Sequence, residues 1–282
     1  MSEANLSDWI GRTTTAADYL AASPAQRLAA TLDKEERSFE DGTPLPSLAH
    51  WLYFLPMERQ STLGPDGHPK RGGFLPPVHH LPRRMWAGGR LEFVAPLRVG
   101  THVERLSTIK SVKEKTGRTG SLVFVTVEHR VSERGGEVAL IEEHDIVYRD
   151  ARPAEPAADY PRVPALQPAW SREIVPDEVM LFRYSALTFN GHRIHYDQPY
   201  VVNAESYPGL IVHGPLMATL LTDLLESSLA APLRRFEFRS MSPMFAGGML
   251  SVNATEPDAQ GRSVLWIATE GDRLVMQAEG WV

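Results

Sequence analysis

Two segments of this 282-residue chain resemble each other, and each is followed by three further similar stretches. The first begins at Arg90 with "RLEFVAPLRVG" and the second at Arg235 with "RFEFRSMSPMFAGG". After them, "HVERLSTIKSV", "SLVFVTVEHRV" and "EVALIEEHDIVYR" correspond to "GMLSVNATEP", "SVLWIATEGD" and "RLVMQAEGWV". Apolar and polar residues alternate in these stretches, and glycine-rich turns separate them, which is typical of antiparallel strands. The repeat therefore predicts two four-strand meanders, each with one face to cover.

A buried helix is the predicted cover of the second meander. Residues 208–230 are apolar on nearly all sides for about four turns, as expected for a helix inside a curled sheet. In the first half "TAADYLAASPAQRLAATLDKEE" and the shorter "PSLAHWLYFL" compete for this place, so the first copy is predicted to be degenerate or differently built. A helix wrapped by an antiparallel sheet, occurring twice in one chain, predicts the α+β fold class.

A proline- and alanine-rich segment, residues 150–168, separates the two halves and has no periodicity. We predict an N-terminal repeat over 1–150, a linker over 151–168 and a C-terminal repeat over 169–282. The net charge of −6 argues against nucleic-acid binding, and the absence of cysteine excludes disulfides and thiolate chemistry. Without a long apolar run or a signal-like N-terminus, the chain is predicted to be cytoplasmic, with small-molecule partners and no membrane association.

The run "YSALTFNGHRIHYD", residues 184–197, precedes the predicted buried helix. With "HWLYFLP", "LGPDGHPKRGGFLPP" and "PRRMWAGGRLEF" in the other half, it makes the chain resemble the MaoC-like and (R)-specific enoyl-CoA hydratase family over nearly its whole length. The form "LTFN-x-HRIHYD" is similar to the mesaconyl- and itaconyl-CoA hydratase branch, and to mitochondrial 3-hydroxyacyl-thioester dehydratases. The resemblance implies a double hotdog fold, in which each repeat wraps a curled antiparallel sheet around a long helix.

The same resemblance implies a hydro-lyase that adds water to an enoyl-CoA, short and branched or dicarboxylic, such as mesaconyl-C4-CoA or itaconyl-CoA. The family's catalytic histidine falls on His195 and its catalytic aspartate on Asn190. Since an asparagine amide can position water but cannot accept its proton, the base role falls on His195. His192, three residues earlier, is a candidate second proton carrier.

Thioester binding is predicted at "GLIVHGPLMA", because the start of a buried helix offers unpaired N–H groups and a partial positive charge. Gly214 is the predicted oxyanion donor, with the thioester carbonyl near His213 and Gly214. The candidates for binding CoA phosphates or a substrate carboxylate are Arg193, Arg239 and Arg84. The first repeat is expected to shape the acyl and CoA tunnel. Coenzyme A is part of the substrate, no other cofactor or metal is expected, and a homodimer is left open.

Several alternatives stay open at the level of the sequence. His192, His195 and Asp197 have a loose metal-ligand spacing, and the histidines alone could simply cap a helix end. Asp197 and Tyr200 are expected to fix a strand after His195. The rival functions are a 3-hydroxyacyl-ACP or -CoA dehydratase of fatty-acid synthesis, a hotdog thioesterase, and a non-catalytic acyl-CoA-binding protein that has lost the aspartate.

Overall fold

The computed structural model describes residues 5–35, 38–117, 120–150 and 160–282. The first half of the predicted linker, residues 151–159, lies outside these ranges. The elements of the N-terminal half are β1 (Thr13–Tyr19), α1 (Ala22–Thr31), β2 (Arg83–Phe93), β3 (His102–Gly117), β4 (Gly120–Glu133) and β5 (Val138–Arg149). Those of the C-terminal half are β6 (Trp170–Ile174), α2 (Glu178–Thr188), α3 (Gln198–Asn203), α4 (Gly214–Leu229), β7 (Arg235–Ser240), β8 (Leu250–Ala254), β9 (Arg262–Thr269) and β10 (Arg273–Trp281).

The described strands form one antiparallel sheet in the order β1-β3-β4-β5-β2-β7-β10-β9-β8-β6. Its halves have the same internal order, so the repeat seen in the sequence is also a repeat in space. The two halves meet where β2 pairs with β7, with Leu91 opposite Phe236 and Gly88 opposite Arg239. Both copies of the "EF" segment therefore lie at the centre of the sheet, and β1 and β6 lie at its edges.

The prediction of simple four-strand meanders is wrong in one respect. Strands β3, β4 and β5 do form a meander, but β2 pairs with β5 and not with β3, and each repeat has an additional edge strand, β1 or β6. The connection from β2 to β3 spans residues 94–101, which is too long for a two-residue hairpin turn. Strand β2 can therefore pair with a strand that is distant in sequence.

Helix α4 is the core of the second repeat. It begins at Gly214, later than the apolar run predicted, and Pro215 fits its first turn because that position needs no N–H donor. It ends at Leu229, followed by Ala230 in the left-handed conformation at φ 49°. Its buried side chains are Leu216, Met217, Ala218, Thr219, Leu220, Leu221, Thr222, Leu224 and Leu225. The sheet curls around this helix, and burying each leucine contributes about 1.5–3 kcal/mol.

The first repeat has no comparable helix among the described residues. The segment "TAADYLAASPAQRLAATLDKEE" divides between β1 and the ten-residue helix α1, and the competing segment forms only a 3-10 turn, Ala49–Leu52. In the described residues the first repeat is therefore built differently from the second. The chain between that turn and β2 instead packs Val78 and Leu81 against the strand residues Val123 and Val125. No helix of the described part is long and apolar enough to cross a membrane.

Candidate active site

A loop after α2 presents Asn190. The helix is capped at its start by Asp177, whose carboxylate accepts a hydrogen bond from Met180 N at 2.8 Å. Phe189 ends it in the left-handed conformation at φ 48°. Asn190 Oδ1 accepts the backbone N–H of His192 at 3.0 Å. The amide NH₂ of Asn190 is therefore left to donate a hydrogen bond.

His195 closes the 3-10 turn Arg193–His195 and is 7% exposed. Its Nδ1 lies 2.7 Å from Ile211 O. Because a carbonyl oxygen only accepts, Nδ1 carries the hydrogen and Nε2 holds a lone pair. No hydrogen bond from a described residue reaches Nε2. Burial lowers the pKa of His195 to about 4, so the ring is an unprotonated base at neutral pH.

Two further histidines flank His195. The His213 ring stacks on it with centroids 3.6 Å apart and planes 18° apart, and His213 Nε2 is 2.8 Å from Ser185 Oγ. An imidazolium formed on His195 would lie over the π face of His213, which is a favourable cation–π arrangement. His192 meets the other side edge-on at 5.5 Å. Burial, with the neighbouring charges of His68 and His195, lowers the pKa of His192 to about 2.

A cavity of about 550 Å³ opens beside these histidines and is lined by both repeats. Its wall includes Asn190, His192, His195 and Gly214, so four of the predicted catalytic and thioester-binding residues are brought together. Gly214 is the first residue of α4, where a backbone N–H has no partner within the helix. The predicted His213 is 1% exposed and stacks on the His195 ring, so it does not form part of the wall.

The three predicted arginines are placed differently. Arg84 lines the cavity near Tyr148, and no ion pair joins it to a carboxylate of the described residues. Arg193 is instead paired with Asp197 at 2.8 Å and stacks on Tyr200 at 4.1 Å. Arg239 is exposed on β7. Of the three, Arg84 is the one positioned to meet a bound substrate.

Asp197 and Tyr200 belong to a helix. The expected strand after His195 is replaced by helix α3. Asp197 caps the start of this helix, where its Oδ1 accepts a hydrogen bond from the backbone N–H of Tyr200 at 3.0 Å. The other oxygen of Asp197 accepts from Arg193, so the metal-ligand set of His192, His195 and Asp197 is not assembled. Within the described residues, the His, Asp and Glu side chains with metal-ligand spacing are Asp66, His68 and His192.

Several polar and aromatic residues of the first repeat also reach the cavity, and sequence reasoning did not select them. His68, from the turn "GPDGHP", and the β-strand residues Trp86 and His144 line its wall. His144 Nε2 is 2.5 Å from the buried carboxylate of Glu142. The i, i+2 spacing of Glu142 and His144 could have indicated one shared strand face. The position of His68, in contrast, depends on a long loop that has no periodicity.

The fold is one open, curled sheet built from two repeats around a buried helix, which defines the class of double hotdog proteins. Its cavity combines the unprotonated imidazole of His195 with the N–H at the start of that helix. Comparison with known proteins agrees with this class. The profile of the family "Hydroxyacyl-thioester dehydratase type 2" matches residues 48–246. A "Mesaconyl-C(4)-CoA hydratase" of Chloroflexus aurantiacus is 46% identical over 245 residues, which cover 87% of this chain and 87% of that protein.

Two solved structures show the same fold at low sequence identity. A "MaoC-like dehydratase" superposes with a TM-score of 0.72 at 14% identity, covering 99% of each chain. A Mycobacterium tuberculosis protein with a double hotdog fold superposes with a TM-score of 0.58 at 14% identity, covering 96% of this chain and 95% of that one. This chain belongs to the hydroxyacyl-thioester dehydratase type 2 family and has a double hotdog fold. The predicted hydro-lyase class and the predicted fold are thereby confirmed.

Proposed function

We propose that this protein hydrates an enoyl-CoA whose acyl group carries a free carboxylate, with mesaconyl-C4-CoA or itaconyl-CoA as the substrate. The observation that carries the proposal is the fixed tautomer of His195, whose free Nε2 faces a cavity that also contains the start of α4. The relative that is 46% identical, a mesaconyl-C(4)-CoA hydratase, supports the choice of acyl group.

The proposed reaction begins with a water molecule between His195 Nε2 and the Asn190 amide. His195 takes a proton from the water while the water oxygen bonds to the β-carbon of the enoyl thioester. The negative charge that develops on the thioester oxygen is stabilised by the N–H of Gly214 and by the N-terminal end of α4. The α-carbon is then protonated, giving the 3-hydroxyacyl thioester. This scheme needs no metal or redox cofactor, because it consists of proton transfers and the addition of water. Coenzyme A enters as part of the substrate.

The second carboxylate of the substrate has a candidate partner in Arg84. A guanidinium that lines a cavity without a carboxylate partner among the described residues can bind a ligand carboxylate by two hydrogen bonds. Arg149 lines the same cavity, and its buried Nε has no hydrogen-bond partner in the described chain. These two cations support a dicarboxylic acyl group over a plain alkyl chain.

The test of the reaction compares wild type with His195→Ala on mesaconyl-C4-CoA, itaconyl-CoA and crotonyl-CoA, following loss of enoyl absorbance. We expect His195→Ala to lower kcat about 10²- to 10⁴-fold, because a positioned general base contributes that much. His80→Ala, which removes an exposed loop histidine, is the control and should match wild type. Wild-type turnover by His195→Ala would contradict the assignment. Release of free CoA thiol would instead indicate a thioesterase, and tight binding without turnover an acyl-CoA sensor.

The test of the acyl group uses Arg84→Gln, with the exposed Arg239→Gln as its control. Since hydrogen bonds to charged groups contribute about 1.5–3 kcal/mol, the KM for mesaconyl-C4-CoA should rise about tenfold or more. The KM for crotonyl-CoA should stay unchanged, because that substrate lacks the second carboxylate but has the same CoA. An equal rise for both substrates would mean that Arg84 binds CoA and not the acyl group.

A second candidate function is favoured by the family description, which names a dehydratase of hydroxyacyl thioesters. It would run the same chemistry in reverse on a carrier-protein substrate. Comparing crotonyl-CoA with the crotonyl thioester of an acyl carrier protein separates the two, since we expect preference for CoA from a chain of net charge −6 facing an acidic carrier. A cytoplasmic location and a homodimer remain predictions, to be checked by cell fractionation and light scattering.

A further inference from the structure

A turn of the first repeat is built into the catalytic loop of the second. The backbone N–H of Arg193 donates to Asp66 O at 2.9 Å, and Arg193 Nη1 donates to Pro65 O at 2.9 Å. Gly67 lies so close to this loop that a Cβ there would be 1.9 Å from Gly191 O. Its φ of +89° is also a glycine conformation. The sequence of the turn is therefore fitted to the loop on which Asn190 and His195 depend.

This turn brings a carboxylate–imidazole pair to the site. Asp66 Oδ1 accepts the backbone N–H of His68 at 3.1 Å, and Oδ2 lies 3.2 Å from His68 Nδ1. Because a charged carboxylate only accepts, Nδ1 of His68 carries the hydrogen and its Nε2 holds the lone pair. His195 has the same arrangement, with Ile211 O in place of the carboxylate. The cavity thus has two imidazoles whose Nδ1–H is held by an oxygen and whose Nε2 is available.

The two imidazoles are linked by His192. The ring centroid of His68 is 4.0 Å from that of His192, and His192 is 5.5 Å from His195. All three residues line the cavity. The three imidazoles therefore share one cavity, and water in that cavity can carry a proton released by His195 to His68.

Charge around the pair favours a neutral His68 with an ionised partner. Burial would raise the pKa of Asp66, but the hydrogen bonds from the side chain and the backbone of His68 hold it below its ordinary value. Burial lowers the pKa of His68, and Arg84 and Arg71 lower it further, while the hydrogen bond to Asp66 opposes them. Asp66 is thus the group that stabilises an imidazolium on His68 when one forms.

We propose that Asp66 and His68 supply, from the first repeat, the carboxylate–imidazole function that the catalytic motif lacks at Asn190. His68 is a catalytic residue that protonates the α-carbon, and Asp66 is a positioning residue that orients His68 and stabilises its imidazolium. This inference rests on the proposed hydration. The first repeat would then take part in the chemistry, beyond shaping the acyl tunnel.

The proton balance of the step is closed. His195 takes one proton from water as the water oxygen bonds to the β-carbon, which leaves an enolate on the thioester. His195 gives this proton to the water of the cavity, His68 takes one proton from the same water on Nε2, and His68 transfers it to the α-carbon as the C–H bond forms. The net change is the addition of one water molecule, with every histidine neutral again.

The variants that test this are Asp66→Asn and His68→Gln, with Lys70→Ala as the matched control. Lys70 is exposed in the same loop and donates only to Ser61 O in the described structure. Two rates are measured: hydration of the enoyl-CoA, and exchange of the α-proton of methylsuccinyl-CoA with D₂O, a saturated analogue with no β-chemistry. We expect both variants to lower both rates about 10²-fold, as loss of a positioned acid–base group does. Added imidazole should partly restore the rates of His68→Ala. Asp66→Glu, which keeps a carboxylate, should be faster than Asp66→Asn.

The exchange rate separates this role from that of His195. His195→Ala should abolish hydration and keep most of the α-proton exchange, because His68 still reaches the α-carbon. If the turn has only a structural role, Lys70→Ala should also lower both rates, and imidazole should not restore the rates of His68→Ala. If Asp66→Asn and His68→Gln both have wild-type rates, the inference is wrong, but the proposed hydration is not affected. If the wild-type protein does not hydrate any of the enoyl-CoA substrates, both the inference and the proposed function are wrong. One divalent metal ion per chain, lost in both variants together with activity, would also overturn it, since Asp66, His68 and His192 would then be ligands.

Discussion

Glu142→Gln tests whether a buried carboxylate holds the first repeat together. Glu142 lies on β5 at 3% exposure and accepts from Trp51 Nε1 at 2.7 Å. Its oxygens also lie 3.0 Å from His50 Nε2 and 2.5 Å from His144 Nε2. Burial alone would raise the pKa of Glu142, but the charges and hydrogen bonds of His144 and His50 hold it well below its ordinary value. The native state therefore keeps an ionised carboxylate among three donors.

The expected cost follows from that geometry. Glutamine keeps the shape of the side chain but removes the charge and replaces one acceptor oxygen with an NH₂ group that faces donors. Breaking a buried ion pair by removing one partner costs about 3–5 kcal/mol, and part of this is regained because a charge no longer needs to be desolvated. We expect the free energy of unfolding to fall by about 3 kcal/mol, a large part of the 5–15 kcal/mol that typical domains possess. Urea titration followed by tryptophan fluorescence measures it, since Trp51 is a partner of Glu142.

Glu143→Gln is the matched control. Glu143 is the next residue of β5, is 21% exposed, and pairs with Arg90 at 2.7 Å and with Lys110. Because its partners lie at the surface, its loss should cost below about 1 kcal/mol. Equal losses for the two variants, or a loss below about 1 kcal/mol for Glu142→Gln, would refute the idea that the buried network stabilises the fold.

Three further predictions concern stability and the docked turn. In the unfolded chain His195 has the ordinary pKa of 6.5, whereas in the folded chain its pKa is about 4. The free energy of unfolding should therefore fall as the pH falls below 6.5, by about 2 kcal/mol at pH 5 for this residue. Urea midpoints that do not change between pH 7 and 5 would contradict this. Gly67→Ala should displace the turn from the catalytic loop and lower kcat more than tenfold in a kinetic assay. Gly72 is also at positive φ but has open space at its Cβ, so Gly72→Ala should not lower kcat in this way. Equal kcat values for the two variants would argue against the contact between the turn and the catalytic loop. Gly280→Ala would place a Cβ 2.8 Å from Leu225 Cδ2. This overpacking should lower the Tm in a calorimetric scan, by about 2–4 °C for each kcal/mol of stability lost. An unchanged Tm would show that α4 can shift to make room.

The repeat and the catalytic loop could be predicted from the sequence because both depend on local patterns. Alternation of residues identifies strands, and "HGP" marks the start of α4. A spacing of a few residues also places Asn190 and His195 in the same connection between α2 and α3. Strand pairing is not local, so the partner of β2 and the edge strands β1 and β6 could not be read from the same patterns. Whether the site contains Asp66 depends on a loop whose path is set by tertiary packing.

The divergence of the two repeats follows from what each does with the chain between its edge strand and its central strand. In the second repeat, residues 175–234 form α2, the catalytic turn and the buried helix α4. In the first, the equivalent residues 20–82 need not fill the same space, since α4 already occupies the core where the repeats meet at β2 and β7. The described part of that chain instead includes the turn at Asp66, which reaches the catalytic loop of the other repeat through the hydrogen bond from Arg193 N to Asp66 O. Under the inference above, this turn brings a carboxylate to a site whose own motif has an asparagine at position 190, so the two repeats together supply the acid–base groups that the motif of the second repeat does not contain alone.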